Sequence, residues 1–228
     1  MKKTFLTLIS VFVVLLFSCN SKKNDINTAL VVYENWRQNQ ISTEKYYDKC
    51  PEKDDVTPEF LRYSLPKLEN LTDTGFKSID TMLVKINEDE KYDVFMKIRP
   101  KDCADGAGTF SQHEPMYLII VSEPQSYKMD NAIIDKLQKE ITSFTKKNTK
   151  SWAERFYMDT IYRKDSNLFV KGQFCVWVDN DAACCPSINM DYKALLPRKD
   201  AVGHIDLSGS VGQSAENSKE FNYRIEIQ

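Results

Sequence analysis

The stretch that decides the fold is YLIIVSEPQSYKMDNAIIDKLQKEITSFTKK, residues 117–147. Its first five residues are apolar at consecutive positions, which is typical of a strand buried on both faces. After Asp130, which is placed to cap a helix, apolar residues recur every three or four positions. These residues are Ile133, Ile134, Leu137, Ile141 and Phe144. The stretch therefore predicts a buried strand followed by an amphipathic helix that packs on a sheet.

Strand patterns lie on both sides of this stretch. Apolar and polar residues alternate through 82–86 and 92–98, and the turn-forming residues 87–90 join them into an antiparallel hairpin. The same alternation returns later in the chain, at 156–162, 168–178, 188–194 and 221–227. The glycine- and serine-rich stretch 203–218 is interpreted as a loop.

Two further helices are predicted near the amino terminus. Asp25 is placed to cap a helix that carries apolar residues from Ile26 onward, and Thr57-Pro58 begins a short helix that ends before Pro66. Helices interspersed with hairpins predict an α+β fold, with a mostly antiparallel sheet and two or three helices. Residues 26–228 form either one domain or two small subdomains, 26–150 and 151–228.

The composition excludes several classes of protein. Of the 228 residues, 42% are hydrophobic, which is enough for a core and excludes wholesale disorder. The formal net charge of −2 argues against a nucleic-acid partner bound through bulk positive charge. No apolar run approaches the ~20 residues that a membrane-spanning helix needs.

The amino terminus predicts export and lipid attachment. A basic start, an apolar run from Phe5 to Phe17 and the small residue Ser18 are typical of a secretory signal peptide, residues 1–18. Leu16-Phe17-Ser18-Cys19 resembles the lipobox of bacterial lipoproteins, which implies acylation of Cys19 and cleavage before it. Residues 19–25 are then a polar tether. Asn20 is not the aspartate that retains enterobacterial lipoproteins at the inner membrane, so the resemblance implies an outer-membrane lipoprotein that faces the periplasm.

A second resemblance lies in the last third of the chain. Asp181-Ala-Ala-Cys184-Cys185-Pro186-Ser187 sits between two predicted strands and resembles a motif of the lipoprotein family typified by the mycobacterial LppP and LprE. No glycine follows Ser187 here, which departs from that family's pattern. Since the family has no established activity, the resemblance implies a secreted structural module and no reaction.

Five cysteines remain once Cys19 carries lipid, so at least one stays unpaired. Cys175 lies near a strand end, and the connection that follows turns the chain back toward it. We therefore expect a disulfide from Cys175 to Cys184 or Cys185, and as a second hypothesis we pair Cys50 with Cys103. The competing arrangement joins Cys50 or Cys103 to the vicinal pair.

Other candidate chemistry is weakly supported by the sequence. The segment Asp102–Gly108 resembles a calcium loop superficially, but it lacks the alternating acidic pattern and fits a turn better. His113 and His204 have no metal-ligand spacing, and neither Ser187 nor Ser210 lies in a nucleophile elbow. The sequence therefore predicts no catalytic set, no metal site and no cofactor.

These observations predict an envelope lipoprotein, attached to the membrane through its lipid, with a binding or structural role. Its partner, an envelope protein or a small ligand, is unknown. The alternative is a thiol-redox protein or enzyme that uses the Cys184-Cys185 loop, which requires an exposed thiol of low pKa. A third possibility is a small-molecule carrier with a cavity between the helix 130–147 and the sheet, which a large apolar pocket in that place would favour.

Overall fold

The computed structural model describes most of the chain beyond the amino terminus. The described residues are 26–52, 63–68, 79–87, 89, 91–103, 115–181, 186–196, 202–211 and 219–227. The first helix, α1, spans residues 26–42. The other elements are β1 (Tyr63–Ser64), β2 (Ile79–Val84), β3 (Asp93–Ile98), β4 (Lys101–Asp102), β5 (Met116–Ser122), β6 (Tyr127–Met129), α2 (Ala132–Asn148), β7 (Ser151–Lys164), β8 (Asn167–Val178), β9 (Ile188–Leu196), β10 (Gly203–Val211) and β11 (Lys219–Ile227).

A four-stranded antiparallel sheet forms the middle layer of the fold. Its strand order is β2-β3-β5-β6, and the predicted hairpin is confirmed as the pairing of β2 with β3. The central strands β3 and β5 are buried along nearly their whole length. This sheet is covered on both faces, which explains the continuous apolar run of residues 117–121.

Each face of the middle sheet packs against a different layer. On one face, Ala29 and Tyr33 of α1 pack with residues such as Met96 and Leu118. On the other face, Tyr117 and residues of its neighbours share a second core with α2 and the large sheet. Alternate residues of one strand therefore belong to two separate apolar clusters.

The large sheet is a five-stranded antiparallel meander in the order β11-β10-β9-β8-β7. Asp165 and Ser166 connect β7 to β8, and both have positive φ, 48° and 68°. A two-residue turn with this backbone matches the twist of the strands it joins. The strands predicted at 156–162 and 168–178 are confirmed as parts of β7 and β8. Residues of even number in β8 and β9 face the core, and the intervening residues face outward.

Several expectations need correction or fall outside the described residues. Residues 203–211, predicted as a loop, form β10, which pairs along its length with β9 and β11. Asn131 is the residue at the amino-terminal cap of α2, and Asp130 contributes by accepting a hydrogen bond from the backbone N–H of Ala132 at 3.1 Å. Most of the short helix expected between Thr57 and Pro66 lies outside the described residues, but its last turn was predicted wrongly, because Tyr63–Ser64 form β1 and pair with β4.

The fold is mostly β-sheet with two helices among the described residues, so it is α+β with an emphasis on strands. The four-stranded sheet precedes residue 150 and the five-stranded sheet follows it, which corresponds to the two expected subdomains. The two sheets nevertheless share one core, because residues of β3, β5 and α2 pack with residues of every strand from β7 to β11.

Candidate functional site

A cavity of 360 Å³ opens between the start of α2 and the middle sheet. We call it the α2 cavity. It is lined by Trp36, Tyr46, Tyr63, Pro100, Pro115, Met116, Tyr117, Leu118, Asn131, Ile134, Asp135, Gln138 and Phe156. Its volume lies within the range usual for small-molecule sites, about 300–1,000 Å³. Its position is the one that the sequence indicated for a carrier, between the helix 130–147 and the sheet.

Two rings of the α2 cavity's inner wall, Tyr117 and Phe156, belong to a chain of packed aromatic rings. Tyr117 and Phe156 pack edge to face, with 6.3 Å between their ring centroids. Tyr117 also stacks on Phe95 at 5.8 Å, and Phe156 stacks on Tyr192 at 5.2 Å. All four rings are buried. Packed rings of this kind hold their rotamers, so the wall is preformed.

The outer wall carries Tyr46, Tyr63 and Pro100, which come from two chain segments that are tied together. The backbone of Tyr63 pairs with Asp102 in the β1–β4 ladder. A disulfide joins Cys50 to Cys103, with 4.9 Å between the Cα atoms. This bond corresponds to the second of the pairings considered from the sequence, and it crosslinks the two segments beside the cavity.

A buried arginine attaches the same segments to α1. The Arg37 side chain is fully buried and donates hydrogen bonds to the Leu65 carbonyl at 3.3 Å and to Glu34 at 2.9 Å. It also donates to the carboxylate of Asp48, which in addition pairs with Lys67 at 3.1 Å. Arg37, and to a smaller extent Lys67, lowers the pKa of Asp48. Because a buried charge without a partner is very costly, this network holds residues 46–48 in place.

Three polar side chains of α2 and its cap lie on the cavity's rim. Asn131 accepts a hydrogen bond from the backbone N–H of Ile119 at 3.0 Å, which fixes the start of α2 against β5. Asp135 and Gln138 follow on the same side of α2, and both are exposed. Burial raises the pKa of the Tyr46 phenol, and the neighbouring Tyr63 raises it further, so Tyr46 is uncharged at neutral pH.

A second concave surface lies on the outward face of the large sheet. This groove has a volume of 640 Å³ and a polar lining. Two cross-strand rows form its floor. One row is Cys175, Asn189, Ser210 and Glu220, and the other is Gln173, Asp191, Ser208 and Asn222. Amide, hydroxyl and carboxylate groups in such rows are suited to hydrogen bonding.

Cys175 lies in this groove as a free thiol, so the expected bond from Cys175 to the vicinal cysteines is not formed. Its cross-strand neighbours are Arg155 and Asn189. Burial raises the pKa of the Cys175 thiol, although Arg155 acts in the opposite direction. The vicinal residues Cys184 and Cys185 lie outside the described residues, as does Cys19.

Asp181 and Ser187, the first and last residues of the motif 181–187, are joined by hydrogen bonds. The carboxylate of Asp181 accepts hydrogen bonds from the backbone N–H groups of Val178 and Ser187, both at 2.8 Å. It also accepts a hydrogen bond from the Ser187 hydroxyl. These contacts hold the two ends of the β8–β9 connection together, so Asp181 and Ser187 have a structural role.

Among the described residues, the other candidates from the sequence are not brought together into a reactive site. His204 pairs with Asp206 at 3.5 Å, and Asp206 also pairs with Arg224 at 2.6 Å. His113 lies outside the described residues. Within the part of the chain that the structure describes, no cluster of histidine, cysteine and carboxylate side chains could hold a metal ion. Neither of the described helices is long and apolar enough to cross a membrane.

The chain matches no known protein family, and neither the curated proteins nor the solved structures include a detectable relative.

Sequence reasoning did not single out the residues that line the α2 cavity. Trp36, Tyr117 and Phe156 fall on apolar faces, where aromatic residues usually belong to the core. The sequence feature that points to this place is the amphipathic helix 130–147, beside which the cavity lies. No local pattern distinguishes a ring that fills a core from one that lines a cavity.

Proposed function

We propose that this protein is a lipid-anchored envelope protein that binds a small molecule in the α2 cavity. Residues 1–18 direct export, Cys19 carries the lipid, and residues 19–25 tether the domain 26–228 to the membrane. The lipobox resemblance at 16–19 supports the lipid anchor, and Asn20, which is not the aspartate of inner-membrane lipoproteins, supports the outer membrane as the site of attachment, with the domain facing the periplasm.

The observation that carries the binding role is the α2 cavity itself. It combines a preformed aromatic wall with a few polar groups on its rim, which is the usual composition of a ligand site. The disulfide at Cys50–Cys103 and the buried Arg37 hold its outer wall. A purely structural part does not need a cavity that is supported in this way, so a carrier or sensor of a small ligand fits better.

Lipid anchoring is tested through the acylated residue. Cys19→Ser removes the acyl acceptor, so we expect the protein to leave the membrane fraction and to lose incorporation of labelled palmitate. Cys175→Ser is the matched control, and it should remain in the membrane. Retention of the Cys19→Ser protein after a carbonate wash would refute the anchor.

Ligand binding is tested by native mass spectrometry of protein purified from envelope extracts. We expect a bound small molecule in the wild type and its loss in Gln138→Trp, which places a bulky ring on the cavity's rim. Lys139→Trp is the control, because Lys139 is exposed on α2 and does not line the cavity. A wild-type protein without any bound molecule, or equal occupancy in all three proteins, would contradict the proposal.

A further inference from the structure

Among the described residues, the lining of the α2 cavity combines aromatic side chains with one carboxylate. Five rings line it, those of Trp36, Tyr46, Tyr63, Tyr117 and Phe156, together with Asp135. No lysine or arginine is found among the described residues of the lining. The face of an aromatic ring carries partial negative charge, so rings and carboxylate both attract a positive group.

We propose that the α2 cavity binds organic cations in which an ammonium group is attached to an apolar body. This inference rests on the proposed function, since it names the ligand class of the same cavity. The ammonium lies against the rings of the lining, within the ~6 Å at which cation–π attraction is significant. The apolar body packs against Met116, Leu118 and Ile134, which also line the cavity.

One ring of the wall already attracts an ammonium group within the protein. The Nζ of Lys97 lies 6.0 Å from the ring centroid of Tyr117. Lys97 does not line the cavity. The phenol of Tyr46 is uncharged at neutral pH, so within the described lining Asp135 is the negatively charged side chain.

Other ligand classes fit this lining less well. An anion meets the carboxylate of Asp135 and the ring faces without a cationic partner in the described lining. A neutral apolar molecule gains the same buried area but forgoes the electrostatic attraction. Two ligands of the same shape, one charged and one neutral, therefore distinguish the cation proposal from binding of an apolar molecule.

The test compares benzyltrimethylammonium with neopentylbenzene, two probes of nearly identical shape that differ in one charged atom. Binding to the full-length protein in detergent micelles is measured by titration calorimetry, with empty micelles as the blank. We expect the cation to bind about tenfold more tightly than the neutral probe. Equal affinities would overturn the cation proposal and leave the proposed function standing.

Variants test whether the carboxylate and the rings cause the preference for the cation. Asp135→Asn should lower the affinity for the cation several-fold and leave the neutral probe unaffected, whereas Glu140→Gln, an equal change of charge on α2 away from the cavity, should change neither. Tyr46→Leu should weaken binding of the cation more than binding of the neutral probe. Failure of both probes to bind wild-type protein would refute the cation proposal, and native mass spectrometry then decides separately whether the cavity holds any ligand.

Discussion

The fully buried carboxylate of Asp93 accepts two hydrogen bonds from Ser122, from its backbone N–H at 2.7 Å and from its hydroxyl at 2.8 Å. The same carboxylate accepts hydrogen bonds from the backbone N–H groups of Ile86 at 2.6 Å and Asn87 at 3.1 Å. One side chain thus joins the turn after β2 to the end of β5.

Loss of this carboxylate should destabilise the protein strongly. Asp93→Ala leaves several buried donors without an acceptor, and we expect a loss of about 3 kcal/mol or more in the free energy of unfolding, measured with urea. Asp80→Ala is the control, since Asp80 forms a half-exposed pair with Arg99 that contributes at most ~1 kcal/mol. Equal effects of the two substitutions would contradict the role of Asp93.

Stability should fall in acid partly through Asp48. Arg37 lowers the pKa of Asp48 in the folded protein, so ionised Asp48 contributes stability above the unfolded pKa of about 3.9. That contribution is lost as the pH falls through the lower, folded-state pKa. Asp48→Asn should therefore be less stable than wild type at pH 7, and the difference should narrow below pH ~3.

Urea unfolding of both proteins across this pH range checks the prediction for Asp48. Asp159→Asn is a suitable control, because Asp159 is exposed and lies on β7 far along the chain from Arg37. A difference between wild type and Asp48→Asn that stayed constant from pH 7 to pH 2 would contradict the prediction.

Reduction of the Cys50–Cys103 disulfide should weaken both stability and ligand binding. The bond links residues 53 apart in sequence, so its loss costs about 4 kcal/mol in the chain-entropy model. It also releases the segments that carry Tyr46 and Pro100, which line the α2 cavity. Thermal unfolding and probe titration, each with and without reductant, measure these two effects.

The double variant Cys50→Ala/Cys103→Ala should reproduce the effect of the reductant and should not respond to it further. Cys175→Ser retains the disulfide, so it should respond as wild type does. Unchanged melting of wild type on reduction would contradict the stabilising role of the crosslink, and unchanged probe affinity would show that the crosslink does not constrain the cavity.

Cys175 should resist alkylation in the native protein. Its pKa is raised by burial, and the thiolate is the reactive form, so little labelling is expected at pH 7 and more as the pH rises above ~8.5. Denatured protein should be labelled readily. Mass spectrometry of iodoacetamide-treated protein locates the label, and rapid native labelling of Cys175 at pH 7 would overturn this expectation. Labelling of Cys184 or Cys185 alone would instead support the thiol alternative.

The hairpins and helix α2 could be predicted because they follow from local periodicity. Residues 82–98 and 156–178 alternate with period two, and the helix after Asp130 repeats every three or four residues. Residues 203–211 could not be predicted as β10, because Gly203, Ser208 and Gly209 weaken the local signal. Pairing with β9 on one side and β11 on the other supplies the hydrogen bonds that override it.

The sequence by itself determined the lipobox resemblance and the type of most elements, since each depends on residues that are close along the chain. The tertiary structure alone decided the α2 cavity. Trp36, Tyr63 and Phe156 come from α1, β1 and β7. They meet because separate layers pack on the two faces of the middle sheet. Such contacts depend on how whole elements pack, and no local pattern records which apolar faces leave a space between them.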